Sequence, residues 1–499
     1  MDNKKATLEL GTKPVGKLLT QYSLPAIVAM IASSLYNMVD SIFIGQGVGP
    51  MAIAGLAITF PFMNLSGAFG AAIGIGSSTL ISVKLGEKDY KTAQNLLGNN
   101  ITLNIIVGIL FATVCLLFLD PILVFFGASE QTLPYAREYM EIILAGNAIT
   151  HLYFGMNAML RSASKPRQAM FATMFTVVLN TILDPIFIYG FGWGIRGAAW
   201  ATVISQALAM CWQFYLFSNK SEILHIKREM LRLKKELVRG IIGIGISPFS
   251  MNACACLVVI LINNALADNG GDMAVGAYGI GNRLVFIFVM ITIGINQGMQ
   301  PIAGYNFGAK KFDRMLRVVN LSIIAATIVT TVGWAICEFL PETCVRLFTS
   351  DEELVNVSVN GLRINVAVLP VIGYQIVVTN FFQSIGKAKI SVFLSLSRQM
   401  LFLVPMLLVL PPIFGVDGVW YALPASDALA CITASAMMYI YMKKFRKLMA
   451  ADVDMKSDMT EDELQERELS KKENRNLTKA PKSFAPWASH TPRYSSLNS

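Results

Sequence analysis

Charge is what this 499-residue sequence has least of: 15% of its residues are Asp, Glu, Lys or Arg, against about 25% in an ordinary soluble domain. A single apolar core does not explain the deficit. Hydrophobic residues make up 54% of the chain and fall in long runs along its whole length, and about 20 apolar residues in a row cross a bilayer as a helix. The runs do not alternate polar and apolar over about 10 residues, which excludes an outer-membrane barrel. Histidine is scarce too. His151, His225 and His490 are too scattered for a metal cluster or a catalytic triad. There is no Gly-x-x-x-x-Gly-Lys-Ser/Thr, so no P-loop hydrolyses ATP, and no His-Glu-x-x-His, Gly-x-Ser-x-Gly or Cys-x-x-Cys. We expect no enzyme, no cofactor and no resident metal. Work done by this chain must draw on an ion gradient, or the protein is passive.

What is present points the same way. The net charge of +9 would suit nucleic acid, but the basic residues sit in short loops between apolar runs, where membrane topology puts them; no nucleic-acid partner is expected. Cys115, Cys211, Cys254, Cys256 and Cys431 lie inside apolar runs and read as small buried hydrophobes, while Cys337 and Cys344 lie near a loop. The first 17 residues are polar and show no cleavable signal peptide, so the first span would direct insertion.

Hydropathy predicts twelve helices, at 17–45, 52–83, 92–119, 133–160, 167–190, 196–217, 238–266, 273–304, 314–340, 354–382, 388–411 and 416–442. One set of loops holds Lys84, Lys88, Lys91, Arg161, Lys165, Arg167, Lys310, Lys311, Arg314, Arg317, Lys387 and Lys389, and both termini belong to it. The opposite set offers little beyond Arg137, Arg196 and Arg346. The basic side is therefore expected to be cytoplasmic, with both termini inside.

The halves repeat at an offset of about 222 residues. Leu85–Lys88 matches Phe307–Lys310, Arg161–Lys165 matches Gln383–Lys387, Gly197–Ala201 matches Gly418–Ala422, and Ser205–Leu208 matches Ser426–Leu429. Six spans per half in the same orientation make a parallel repeat, which places a cavity between two lobes. We expect an N-lobe at 1–217, a basic linker at 218–239, a C-lobe at 240–445 and a largely disordered cytoplasmic tail at 446–499. In the linker, Ile223, Ile226, Met230, Leu231 and Leu233 alternate with basic residues, the pattern of an amphipathic surface helix or of a merely solvated connector. Glu461–Asn476 could be a loose helix, and Ala480–Ser499 is rich in Ser and Pro.

Ionisable residues inside spans are costly and therefore functional candidates. Asp40 stands in span 1 and Asp184 in span 5. Tyr36 lies four before Asp40, Asn180 four before Asp184, and Thr202 four before Gln206, so each pair shares a helix face. Asp40, Asp184 and Thr202 each lie about six residues, roughly 9 Å, below the outer end of their spans. An oxygen-rich site at one depth suits Na⁺, and two close carboxylates also hold a proton. Each acid could instead be solvated near the interface. Asn37, Asn157, Gln206 and Arg283 are expected substrate contacts. In the second half, Arg283 or Arg398 could pair with Asp427, or meet an anionic part of a substrate. Gly74, Gly76, Gly294 and Gly298 suit close helix packing, or hinges. Some of the 25 Met and 29 Phe residues could line an adaptable pocket.

These residues resemble the multidrug and toxic compound extrusion (MATE) family, nearest its prokaryotic MepA- and DinF-like branch. Leu35–Gly45 around Asp40, Leu85–Tyr90, Asn180–Pro185, Gly279–Arg283, Gln297–Pro301 and Gly304–Gly308 carry the likeness, which spans about residues 10–445. The resemblance implies an all-α membrane protein of two pseudo-symmetric six-helix bundles in a V. It implies export of cationic, often aromatic drugs in exchange for Na⁺ or H⁺, from the bacterial cytoplasmic membrane, and we expect a monomer among membrane lipids. The family's N-lobe ion network carries over to Tyr36, Asp40, Asn180, Asp184 and Thr202. Some relatives have acids in spans 7 and 10, where this chain has Asn252, Asn263, Gln375 and Asn380, so no C-lobe cation site is expected. The alternatives are a lipid-linked oligosaccharide flippase of related architecture and a channel or receptor.

Overall fold

The structure, a computed structural model, describes residues 7–457; the side chains of residues 37, 38, 272 and 451–457 fall outside that description. The described chain is helical, with no strand. Its spans are α1 (Val15–Gly47), α2 (Pro50–Gly86), α3 (Tyr90–Leu117), α4 (Leu133–Ala145 and Asn147–Ser162), α5 (Pro166–Pro185, continued to Gly190), α6 (Gly194–Ser218), α7 (Lys235–Gly271), α8 (Met273–Gly308), α9 (Phe312–Phe339), α10 (Glu352–Val366 and Leu369–Ser384), α11 (Ala388–Phe414) and α12 (Val416–Ser457). Nine of these are long and apolar enough to cross a membrane, ten with the bent pair of α10. The other two, α4 and α6, are less apolar because they carry polar residues into the bundle: Asn147, His151 and Asn157 on α4, and Thr202, Ser205 and Gln213 on α6, are all buried. Together they make the twelve-helix architecture. Among the described residues, those up to Ile440 form one compact unit and those from Tyr441 belong to a second. The predicted loose helix at 461–476 and the Ser/Pro-rich end lie outside the described residues.

The repeat is written in the backbone. Gly49 and Gly271 both have positive φ (119° and 64°) and reverse the chain into α2 and α8, a conformation that costs glycine little. Lys88 and Lys310 are left-handed at 64° and 57°, and Ser164 and Gly386 at 64° and 74°. Short helices follow α3 and α9 at Leu119–Phe125 and Pro341–Arg346. The span α4 breaks at Gly146 and α10 at 367–368, the latter with a bend of 49°. Each feature of the first half thus recurs about 222 residues later. Where span 10 was expected as one continuous helix, it bends at its Leu-Pro step, since proline removes a backbone donor.

The halves meet at the end carrying the basic loops. A methyl group on Gly86 would lie 2.0 Å from the carbonyl oxygen of Tyr305, and one on Gly308 would lie 2.0 Å from that of Val83. These two contacts are each other's repeat, so the seam is pseudo-symmetric and only hydrogen fits at its centre. Gly76 and Gly245 meet the backbone of Ile241 and Ala72; Gly294 meets Ile27, and Gly298 meets Ser23. Gly74 packs instead on Gly155 within the first half. Gln300 donates to the hydroxyls of Ser78 (3.1 Å) and Thr79 (2.8 Å) across the seam.

The connector is neither an amphipathic surface helix nor a solvated chain. Beyond one 3₁₀ turn, Arg228–Leu231, it docks on the first half. Met230 is buried, Asn99 donates to Arg232 O at 3.2 Å, Lys234 N donates to Asn99 Oδ1 at 2.9 Å, and Thr102 donates to Leu231 O at 2.8 Å. A largely buried Lys165–Glu222 pair at 2.8 Å holds its start. These buried backbone groups had to find partners, and Asn99 and Thr102 on α3 supply them. At the far end, Arg137, Arg196 and Arg346 each face an acid (Asp120 and Glu141, Glu138, and Glu342 and Glu352). Of the cysteines expected inside the bundles, Cys115 and Cys254 are buried, Cys256 and Cys431 are partly covered, and Cys211 is exposed. Cys337 and Cys344, near their loop, are buried as well.

Candidate ion site in the first six-helix bundle

The helices α1, α5 and α6 bring Tyr36, Asp40, Asn180, Asp184 and Thr202 together. Asp40 is 5% exposed, Asp184 0%, Asn180 1% and Thr202 5%, so neither acid is solvated at an interface. Helical spacing explains the convergence: each four-residue pair projects from one face of its helix into the bundle. The Tyr36 hydroxyl lies 3.0 Å from Thr202 Oγ1. With its amide oriented to satisfy both ends, Asn180 donates to Asp184 Oδ2 (2.9 Å) and accepts from the Thr202 N–H (3.1 Å) and hydroxyl (3.2 Å).

The carboxyls of Asp40 and Asp184 are within hydrogen-bonding range of each other. Oδ1 of each is buried and receives no donor from the protein. Ionised carboxylates only accept, so two in contact, sealed from water and without a nearby basic partner, need a proton or a metal cation between them. Oxygen donors from Asp40, Asp184, Asn180, Thr202 and Tyr36 fit a hard monovalent cation as readily as a proton.

Proline shapes the site. Pro185 follows Asp184, and α5 widens there into a π-helical turn, Ile186–Gly190, the kind of irregularity that flanks functional positions. Above the acids, Ile44, Met140, Ile188, Ile195, Ala198 and Val203 form an apolar cap at the end opposite the basic loops.

One residue of this site escaped the sequence reasoning. Tyr139 on α4 is 1% exposed. Its side chain lies in the neighbourhood of Thr202, Asp40, Asp184 and Tyr36. The depth rule that selected Asp40 would have found it, since it stands six residues inside α4; a lone tyrosine in an apolar run simply carries no charge to draw attention.

The expected substrate contacts scatter. Gln206 accepts from Thr150 at 2.6 Å. Asn157 is buried toward the basic end, donating to Ala169 O (3.0 Å) and Thr173 Oγ1 (3.2 Å) and accepting from Arg161. The side chain of Asn37 lies outside the described residues. Arg283 is exposed on α8. It is Arg398, in the π-helical turn Ser397–Leu403 of α11, that pairs with Asp427, at 2.6 Å. Asn252, Gln375 and Asn380 bond within their own helices. A groove lined by Phe171, Met174, Phe175, Val178, Leu208 and Trp212 is apolar throughout and holds none of the polar set.

Comparison with known proteins identifies the family and the fold. The sequence profile of the family described as MatE matches twice, over residues 25–186 and 248–409. The "Multidrug export protein MepA" of Staphylococcus aureus (strain NCTC 8325 / PS 47) is 28% identical over 427 residues, covering 86% of this chain and 94% of that protein. Its counterpart in Staphylococcus haemolyticus (strain JCSC1435) is 28% identical over 423 residues, covering 85% and 93%. Among solved structures, the MATE multidrug transporter DinF-BH is 37% identical, with a TM-score of 0.80 over 86% of this chain and 96% of that one. An outward-facing multidrug resistance MATE transporter of the MOP superfamily superposes with a TM-score of 0.82 at 22% identity, covering 88% and 98%.

Proposed function

The chain belongs to the MatE family of multidrug efflux transporters, and we propose that it exports amphipathic, mainly cationic aromatic drugs in exchange for Na⁺ or H⁺ taken up at the Asp40–Asp184 site. It is a multi-pass membrane transporter, not an enzyme. The observation that carries the coupling is the acid pair itself: two buried carboxylates in contact, each with an oxygen that no protein donor reaches.

In this reading the protein is a monomer in a bacterial cytoplasmic membrane, with the basic loops and both termini inside. Lobes at 1–217 and 240–445 part and close about the glycine seam, giving alternating access. Tyr36, Asn180 and Thr202, with Tyr139, supply the remaining oxygens around the cation. Filling the site removes the repulsion between the acids and lets the outer half of the first lobe tighten around them, which disfavours the drug-binding arrangement. Linkage then requires that ion and drug weaken each other's binding by the same factor.

Efflux of ethidium from cells tests this, comparing wild type with Asp40→Asn, with and without Na⁺ at two pH values. The wild type is expected to clear dye in a manner that responds to Na⁺ or pH, and the variant to retain it. Undiminished efflux by the variant would place the coupling elsewhere.

A further inference from the structure

The second bundle holds a basic feature that ion coupling does not use. Arg283 on α8 and Arg363 on α10 are exposed, and neither has an acidic partner among the described residues. Asp427, the acid that could have served, is taken by Arg398 at 2.6 Å.

Their direction follows from helix geometry. Gly294 and Gly298 of α8 pack on Ile27 and Ser23 of α1, so their side of α8 is the side turned toward the first lobe. Arg283 lies 11 residues before Gly294. At about 100° per residue it stands some 20° from that glycine on the helical wheel. Gly279, Arg283, Phe286 and Ile287 continue the same stripe, and all are exposed. One face of α8 thus packs on the first lobe near the basic end and is left exposed beyond it.

Arg363 joins Arg283 at one level. Gly281 of α8 faces Leu362 and Asn365 of α10, each within contact distance (3.8 and 4.0 Å from a methyl placed on the glycine). Asn356, Asn360 and Arg363, spaced four and three apart, form an exposed row, and two amides with a guanidinium belong against water rather than hydrocarbon. The acid on that row, Glu353, is ten residues from Arg363, about 15 Å along the axis, beyond pairing distance.

We propose that Arg283 and Arg363 form an anion-recognition wall that holds the carboxylate of zwitterionic or acidic amphiphilic substrates in a cleft between the lobes. This rests on the reading of the cleft as the drug path and adds the substrate class. Guanidinium groups suit the task, because they stay charged and present a planar fork to a carboxylate. Phe286 and Ile287 on the same stripe offer the apolar surface that the rest of such a molecule needs. The pair also sets the two lobes apart in charge: the first offers buried acids to a cation, the second exposed bases to an anion.

The test uses rhodamine B, a zwitterion with a free benzoate, and its ethyl ester, which lacks the acid. Binding of each dye to purified full-length protein in phosphatidylcholine nanodiscs is followed by fluorescence anisotropy for wild type, Arg283→Gln, Arg363→Gln and Arg283→Lys. Loss of a charged hydrogen bond is expected to weaken rhodamine B about tenfold in each Gln variant. The ester should change less than about twofold, and Arg283→Lys should restore part of the rhodamine B affinity. Equal weakening of both dyes would mean the arginines only shape the cleft, and unchanged rhodamine B binding would mean they do not touch the carboxylate; either overturns the proposal. Binding is measured without a gradient, so failure of the export reading would show separately, as dyes that bind with this selectivity yet are not pumped from cells.

Discussion

The two six-helix bundles share one backbone and differ in how they treat charge. In the first, α1 and α5 bury two acids with no basic partner beside them. In the second, the charged side chains inside the bundle are Arg398 and Asp427, joined at 2.6 Å and away from the repeat positions of the two acids. Asp427 occupies the repeat position of Gln206, which is content with a neutral hydroxyl from Thr150. A closed ion pair satisfies itself and has nothing to gain from a cation. An acid pair is incomplete and must take one from outside. The scaffold occurs twice, and the proposed coupling site rests on how a few charges are distributed between its two copies.

The comparison can be broken most severely at the acids. Asp184→Asn is expected to abolish ion-driven efflux, a loss of 100-fold or more, while dye binding to purified protein persists; transport assays in proteoliposomes and binding in detergent separate the two. If the ion pair of the second bundle is structural, Asp427→Asn should act in the opposite manner. Stranding the Arg398 guanidinium is expected to cost about 1–3 kcal/mol, below the figure for a fully buried pair because Arg398 is one-third exposed. Thermal unfolding should fall, with the Na⁺ or pH response of the remaining transport unchanged. Replacing both partners together, Arg398→Met with Asp427→Leu, should recover much of that stability.

A third change addresses what holds the bundles to each other. Gly86→Val drives a branched side chain into the carbonyl of Tyr305. Folding of each bundle should survive, but the seam should open, and a thiol probe should label Ser78→Cys faster than in the wild-type background. The smallest effect belongs to Tyr139→Phe. Losing one hydroxyl near Thr202 should weaken the apparent affinity for the coupling ion by roughly fivefold, about 1 kcal/mol, with full maximal transport.

Much of this was legible in the sequence because charge in an apolar run is conspicuous. Asp40 and Asp184 announced themselves, and the four-residue spacing of Tyr36 and Asn180 placed them on the right faces. Tyr139 was not legible, since tyrosine is ordinary in a span and only tertiary packing brings it near Thr202. Arg363 was not singled out although it lies inside the predicted span at 354–382; only the approach of Leu362 and Asn365 to Gly281 sets its helix at the level of Arg283. The glycines of α2 and α8 read first as packing positions and second as hinges, and the backbone atoms facing Gly76, Gly294 and Gly298 agree with packing. The connector misled through its alternation of apolar and basic residues. Leu224 and Met230 turn to the protein while Leu233 stays exposed, and the connector's backbone finds partners in Asn99 and Thr102.

The central claim, that the buried acid pair is where ion and drug compete, is tested most directly by drug affinity as a function of cation. Ethidium binding to purified wild type and Asp184→Asn in nanodiscs would be titrated over Na⁺ concentration at fixed pH, and over pH without Na⁺. The account predicts that the wild-type dissociation constant rises with Na⁺ or with acidity, and that the variant stays flat against the same ion. A wild-type affinity indifferent to both ions, or a variant that keeps the wild-type response, would contradict it.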